Sequence, residues 1–355
     1  MRVLVTGGTG FLGSHTVAAL ARAGHDVKLL VRSPDRIEPA LGPLGVGPVD
    51  HVVGDITDAA CVERALLGCE AVVHAAAVFT LDRSRDAEVA RVNLTGAKNV
   101  LGAAHRLGLD PIVFVSSLSA LFPPDGPLLT ADTEVKDPTN PYARSKAQCE
   151  RYARELQARG APVVCTYPGS VWGPHDPHRG EGVAVVTQFM KLGFAPASRE
   201  GGLPVVDVRD VADIHVAALQ PGCGPRRFTA GGHLVGMGAL FEMFSLLTGR
   251  RFVTIPTHAR LLRGLGRGID WLHRLTGVSL LLTYEAMHTL TRMVPCDDAP
   301  TVRELNVSFR SLEETVRDTL IWMYEAGLLA EKHVGTLGGF AADGAGAPPR
   351  GRQVL

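Results

Sequence analysis

The chain has 355 residues, enough for one large domain or two ordinary ones with a sizeable core. Thirty-six basic side chains balance thirty-six acidic ones, so no global field steers the protein onto nucleic acid or an anionic membrane. With 46% hydrophobic residues and 40 glycines the composition excludes a disordered or fibrous chain. Six scattered cysteines, with no C-x-x-C pair, read as free thiols in a reducing compartment. The N-terminus lacks the charged leader and apolar run of a signal peptide, and the expected location is the cytoplasm. The most apolar stretch, Ile269–Leu282, is interrupted by Asp270, His273 and Arg274. It is too short and too charged to span a bilayer and reads as a surface or interface helix.

In chain order, Arg2–Thr6 predicts a strand, 11–23 a helix, Asp26–Val31 a strand and 51–53 another. A helix follows over 57–67, a strand at Ala71–His74, a long helix over 86–107 and a strand over 111–116. Pro141 opens a helix to 159, and 162–167 is a strand. Six strands alternating with helices predict an α/β fold, a doubly wound parallel sheet of the Rossmann type. After Pro168 the rhythm changes to loops, helices over 237–248, 257–276, 284–293 and 311–326, and two isolated strand-like pieces at 203–207 and 226–229. These predict a dinucleotide-binding domain over 1–170 with a strand returning near 204–230, and a smaller, mostly helical substrate lobe over 171–334. A Gly-, Ala-, Pro- and Arg-rich tail over 335–355, without apolar periodicity, predicts disorder.

Glycines at 7, 10 and 13 follow the first strand and open the first helix. There the backbone must turn tightly, admit a pyrophosphate without a Cβ in the way and point amide groups at it. The second strand ends in Arg32, where an NAD-preferring protein usually carries an acid. With Arg36, it suits a 2′-phosphate, since a guanidinium offers forked donors; the bland alternative, favoured for Arg36, is a solvated arginine. Asp55 suits an adenine amino group or an ordinary loop or cap role equally. Tyr142 and Lys146, four residues apart on one helix face, place an ammonium near a phenol and lower its pKa toward a useful range, with Ser117 at a strand end to hold a substrate oxygen. Tyr-x-x-x-Lys alone is a common surface pair. Its place downstream of the glycine turn is what gives it weight. His175 and His178 lack a third ligand and read as loop histidines, with no metal site.

Taken together, Thr6-Gly-Gly-Thr-Gly-Phe-Leu-Gly13, Gly54-Asp-Ile-Thr-Asp58, Val73-His-Ala-Ala-Ala77, Asn93-Leu-Thr-Gly-Ala-Lys-Asn-Val-Leu101, Val115-Ser-Ser117, Tyr142-Ala-Arg-Ser-Lys146, Tyr167-Pro-Gly-Ser-Val-Trp-Gly-Pro174 and Val206-Asp-Val-Arg-Asp-Val-Ala-Asp213 resemble the extended short-chain dehydrogenase/reductases of the epimerase/dehydratase superfamily. The resemblance runs from Met1 to about Ala230. Later, Phe228-Thr-Ala-Gly-Gly-His233 and Leu247-Thr-Gly-Arg-Arg251 look like its dihydroflavonol reductase and 3β-hydroxysteroid dehydrogenase branch. It implies Tyr142 as general acid/base, Lys146 bonding the nicotinamide ribose and Ser117 polarising a carbonyl. It implies a cofactor, NADP with NAD as the alternative, against Gly7, Thr9, Gly10, Phe11, Leu12, Gly13, Arg32, Asp55, Ile56, Ala75, Ala76, Ala77, Asn93, Tyr142, Lys146, Tyr167, Pro168, Gly169 and Val171. It also implies a homodimer seamed by the helices over 86–107 and 141–159.

Two departures bear on the substrate. Tyr167-Pro168 stands where the family has Arg-Pro, and Ala120-Leu121-Phe122 where it has Val-Tyr-Gly. Three readings follow: an NADP(H)-dependent oxidoreductase acting on a ketone or aldehyde of an apolar small molecule, an NAD-dependent nucleotide-sugar epimerase or dehydratase, and a catalytically silent dinucleotide-binding protein. Intact Tyr142 and Lys146 count against the third. Against the second stand the candidate cleft segments 78–80, 120–124, 171–172 and 183–190, mainly apolar, with only Arg179 and Lys191 nearby for a diphosphate; for 183–190 it is an equal reading that these residues pack the lobe's own core and face no ligand.

Overall fold

A computed structural model describes residues 1–79, 86–138, 140–276 and 284–342. The first half alternates strand and helix: β1 (Arg2–Thr6), α1 (Phe11–Arg22), β2 (Asp26–Val31), α2 (Ile37–Leu41), β3 (Asp50–Val53), α3 (Ala59–Leu66), β4 (Ala71–His74), α4 (Asp86–Arg106), β5 (Ile112–Val115), α5 (Pro141–Ala158) and β6 (Val163–Pro168). The helix starts follow side-chain chemistry. Asp58 accepts from the amides of Ala60 and Cys61 to open α3, and Asn140 accepts from Ala143, one residue before Pro141 sets the first turn of α5.

The second half begins with β7 (Ser170–Trp172), α6 (Glu181–Leu192), β8 (Phe194–Ala197), β9 (Leu203–Asp207), α7 (Val208–Ala217), β10 (Arg226–Ala230) and β11 (His233–Val235). It continues with α8 (Met237–Thr248), β12 (Val253–Pro256), α9 (Ala259–Thr276), α10 (Tyr284–Arg292), α11 (Ala299–Leu305), α12 (Leu312–Glu325), α13 (Glu331–Val334) and α14 (Leu337–Ala342).

Seven parallel strands form the main sheet in the order β3-β2-β1-β4-β5-β6-β10. Period-2 alternation sorts its side chains. Leu4, Ile112 and Phe114 pack under α3, α4 and α5 on one face, and Val3, Val5, Val113 and Val115 under α1 and α7 on the other. The order reverses between β1 and β4, which opens a crevice above their carboxyl ends. The seventh strand is the returning one predicted near 204–230, but only Arg226–Ala230 joins this sheet. Leu203–Asp207 forms the centre of a separate sheet, β11-β9-β7. There Asp207 caps α7 through the Arg209 amide and accepts from Thr315 on α12, joining a helix packed on the main sheet to one packed in a separate core.

A third core cluster, with Trp172, Met190, Phe241, Phe244, Val316 and Met323, belongs to the second half alone. The tail differs from its expectation up to Ala342. Gly335 leads into α14 with its N–H bonded to Glu331, and Leu337 is buried in this cluster, so one well-placed leucine compensates for the missing periodicity. Residues 343–355, the rest of the predicted tail, lie outside the described residues, as do Thr80 and 277–282. No described helix is long and apolar enough to cross a membrane.

Candidate active site

The turn after β1 is built for close backbone approach. Gly7 has φ +77°, and a Cβ there would sit 2.6 Å from the Ala76 nitrogen, while one on Gly13 would strike the Gly7 carbonyl. The Gly10 amide bonds the Gly7 carbonyl, and Gly10 heads α1 without a side-chain cap. The first amides of α1 thus face the crevice from a helix N-terminus, and a diphosphate fits where Cβ atoms are absent. Thr9, Phe11 and Leu12 are half-buried around this turn, and Ala75, Ala76 and Ala77 follow β4 directly against it, with the Ala75 amide on the Thr6 carbonyl.

Beneath the turn, the Thr6 hydroxyl and His74 Nδ1 are 2.7 Å apart, and Ala76 donates to the same hydroxyl at 3.4 Å. Burial lowers the His74 pKa to about 3, so the ring is neutral. The sequence signal for this pair is a polar residue closing each of two apolar strands.

Arg32 is exposed at the end of β2, and Asp55 is half-buried after β3. Burial pushes the Asp55 carboxyl up, but the Thr57 amide and hydroxyl, at 2.8 and 2.7 Å, and the charges of Arg32 and Arg91 outweigh it and hold it below the ordinary carboxylate range. Arg91, one helix away on α4, had no local sequence signal. Ile56 is buried and its carbonyl accepts from Asn99.

The catalytic candidates meet at the ends of β5 and α5. Ser117 Oγ accepts from the Ser119 amide at 3.2 Å and hydroxyl at 2.9 Å, which leaves its own proton for the Tyr142 phenol, its hydrogen-bond partner. Lys146 is buried, and its Nζ donates to the Val115 carbonyl at 2.9 Å, 5.6 Å from the Phe114 ring. Burial lowers its pKa. The predicted lowering of the phenol by this ammonium does not hold. Burial pushes Tyr142 up to about 12 despite the Ser117 bond, because Lys146 is turned down onto β5, and the phenol stands as a proton donor. Phe79, 52% exposed, sets its ring edge-on to Tyr142 at a centroid distance of 4.7 Å.

Other expected contacts are corrected by burial. Asn93 is enclosed with its amide spent on the Val78 N–H and C=O and on Ser145 Oγ; it fastens the segment after β4 to α5 instead of facing a cofactor. Tyr167 is fully buried, donating to Glu150 at 2.6 Å, so its side chain lies in the core and only the backbone of 167–169 lies along the sheet edge. Gly169 lies against the Pro204 carbonyl, where a Cβ would come within 2.5 Å. Pro168 pairs with Ala230, and Val171 is half-buried on β7 beside Val206. The apolar cleft walls are corrected likewise. Ala120 is fully buried, Leu121 and Phe122 are buried under the sheet, and Trp172, Val186 and Met190 in the third core cluster. Phe79 and Ala184 are the exposed members of these segments, and Val171, Val183, Val185 and Phe189 are half-buried.

A protein from Synechocystis named dihydroflavonol 4-reductase is 27% identical over 346 residues, covering 91% of this chain and 94% of that protein. A UDP-glucose 4-epimerase of Neisseria meningitidis is 28% identical over 289 residues, covering 72% and 84%. The crystal structure of gox2253 superposes with a TM-score of 0.76 at 25% identity, covering 93% of this chain and 99% of that one. The family model described as NAD dependent epimerase/dehydratase family matches residues 3–231. With the glycine turn, the Ser117–Tyr142–Lys146 cluster and the sheet order in agreement with that match, the chain belongs to the NAD dependent epimerase/dehydratase family and is an enzyme of the NAD(P)-dependent short-chain dehydrogenase/reductase type.

Proposed function

We propose that the protein is an NADP(H)-dependent oxidoreductase that interconverts a ketone or aldehyde with an alcohol on an apolar small molecule. The observation that carries this reading is the exposed Phe79 ring edge-on to the Tyr142 phenol, an apolar surface at the proton donor itself. The reductase name of the Synechocystis relative supports it, and the epimerase name of the Neisseria relative supports the alternative, a nucleotide-sugar epimerase or dehydratase.

In this reading the residues from Gly7 to Gly13 and Ala75 to Ala77 hold the dinucleotide, and Arg32 meets the 2′-phosphate with Arg91 nearby. The bound nicotinamide supplies or accepts a hydride. Ser117, its oxygen already accepting from Ser119, turns its one hydroxyl proton from the Tyr142 oxygen to the substrate carbonyl and aligns it. Tyr142, protonated well above neutral pH, gives its proton to the same oxygen as the carbon receives hydride. Lys146, held on the Val115 carbonyl, is the ammonium that would bond the nicotinamide ribose. A homodimer through α4 and α5, which pack on each other, belongs to the same proposal, and a monomer mass in light scattering overturns that part.

The test follows nicotinamide absorbance with polycyclic ketones, sterols and aldehydes against UDP- and dTDP-sugars, each with NADP(H) and NAD(H). Turnover of an apolar carbonyl compound with NADPH is expected. Arg32→Asp shifts preference toward NADH by about 1.5–3 kcal/mol, the size of a charge-assisted contact. Turnover of a nucleotide sugar alone overturns the substrate class, and equal wild-type binding of the two cofactors overturns the role of Arg32.

A further inference from the structure

The helical period of α9 separates its side chains sharply. Ala259 and Leu262 are buried against the second half, whereas Leu261, Leu265 and Trp271 stand 58%, 52% and 63% exposed. Between them Gly264 and Gly268 face open space, where an added Cβ would meet nothing within 4 Å. Arg260 and Arg267 are exposed along one flank of this face. Further exposed apolar side chains stand on β12, two residues before α9 in the chain, and on its partner β8, where Ile255 and Phe194 are half exposed. Of the fourteen large apolar residues left exposed among the described ones, eight fall between Leu192 and Trp271. That concentration is unlike the single scattered leucines of an ordinary surface.

Charge is segregated onto the same segment. From Arg250 to Arg292 the sequence carries seven arginines against two acids, in a chain whose net charge is zero. A helix with a strong apolar face, a basic flank and an outward tryptophan has the composition of an element that lies in a lipid headgroup layer. A second copy of the chain would bring the same arginines against these, whereas an anionic bilayer supplies the opposite charge and an apolar phase together.

We propose that this face of the protein docks peripherally on an anionic lipid surface, with α9 in the headgroup plane. Leu261, Leu265 and Trp271 enter the acyl boundary, and Arg260 and Arg267 reach the lipid phosphates along their aliphatic stems. The overall neutrality of the chain does not oppose this, because surface attraction acts within a Debye length and depends on the local patch. The proposal is independent of the substrate reading, since none of these residues belongs to the catalytic cluster.

The chain carries its own reporter. Trp172 and Trp322 are buried at 6% and 9% exposure, so a change in tryptophan emission on docking comes from Trp271. The full-length protein is titrated with vesicles of phosphatidylcholine containing phosphatidylglycerol and, separately, of phosphatidylcholine alone, with co-sedimentation measured in parallel. A blue shift and co-sedimentation with the anionic vesicles, weakened by salt, are expected. Arg260→Gln with Arg267→Gln lowers partitioning roughly 20–30-fold. Leu261→Gln with Leu265→Gln removes the blue shift without changing the melting temperature, since both side chains point outward. Absence of binding to anionic vesicles overturns the proposal, as does binding that is indifferent to lipid charge and to the arginine pair. A blue shift that grows with protein concentration without vesicles, with a mass above that of a vesicle-free control variant, assigns the face to another copy and overturns it as well.

Discussion

At the carboxyl edge of the main sheet, polar side chains sit inside the protein for stated reasons: Thr6 on His74, Lys146 on the Val115 carbonyl, Asn93 across two segments and Ser145. In the second half, Trp172, Met190, Phe241, Phe244 and Met323 fill a core of their own, and the polar groups there mostly close caps and ion pairs at its margins, such as Arg209 with Asp207 and Asp318. The first region uses burial to set protonation and geometry, and the second uses it for cohesion. The type of a buried residue therefore reports function in one region and packing in the other. An apolar stripe near the crevice, such as that of α6, need not face a ligand.

The largest effect that can break this comparison belongs to Tyr142. Tyr142→Phe keeps the ring against Phe79 and removes the transferable proton, so turnover falls about two to four orders of magnitude while cofactor affinity, measured by calorimetry, is expected to stay near that of the wild type. Near-normal turnover sinks the acid role. In the second half the equivalent cut is Met190→Ala. A fully buried methionine in the third cluster is expected to lose about 2–5 kcal/mol of stability in urea unfolding, with kcat below the melting transition unchanged. A changed substrate preference instead would return α6 to the cleft.

A pH effect sharpens the contrast, because the strongly shifted histidines all belong to the sheet and its helices. Burial lowers His74 and His215 to about 3 and His15 to about 4. Thr16 donates to the Leu12 carbonyl, so its oxygen accepts from His215 Nδ1 at 2.9 Å while Thr166 donates to Nε2 at 3.1 Å, which holds that ring neutral. The unfolded chain takes up protons at these positions below pH 6.5 and the fold does not until pH 3–4, so the stabilising term is present above 6.5 and is lost as pH falls through that window. At pH 5.5 each contributes about 1.4 kcal/mol of lost stability. The urea midpoint should fall between pH 7 and 5.5, and His215→Gln should make that fall shallower; an unchanged slope contradicts the neutral ring. The smallest effect is expected at Phe79→Ala. Its exposed ring adds little to the core, so the melting temperature should hold, while KM for an apolar carbonyl substrate rises about fivefold, equivalent to about 1 kcal/mol of lost apolar contact. A drop in stability with KM unchanged would make Phe79 a packing residue.

Residue type and spacing by themselves determined the parallel sheet, the glycine turn and the placing of Tyr142, Lys146 and Ser117, because each rests on local rules: period-2 burial, a Cβ-free turn, one helical turn between phenol and ammonium. They also marked the apolar stretch Ile269–Leu282, whose first residues fall in α9, as a surface or interface helix. The tertiary structure decided the rest. It brought Arg91 of α4 to Asp55 and withdrew Asn93 and Tyr167 into the interior. It turned Lys146 toward β5, left burial as the main cause that sets the phenol high, and sent Leu121, Phe122 and Met190 into cores. Which face of a helix meets a neighbour, and how far a charge lies from water, depend on residues distant in the chain, and no local pattern encodes those distances.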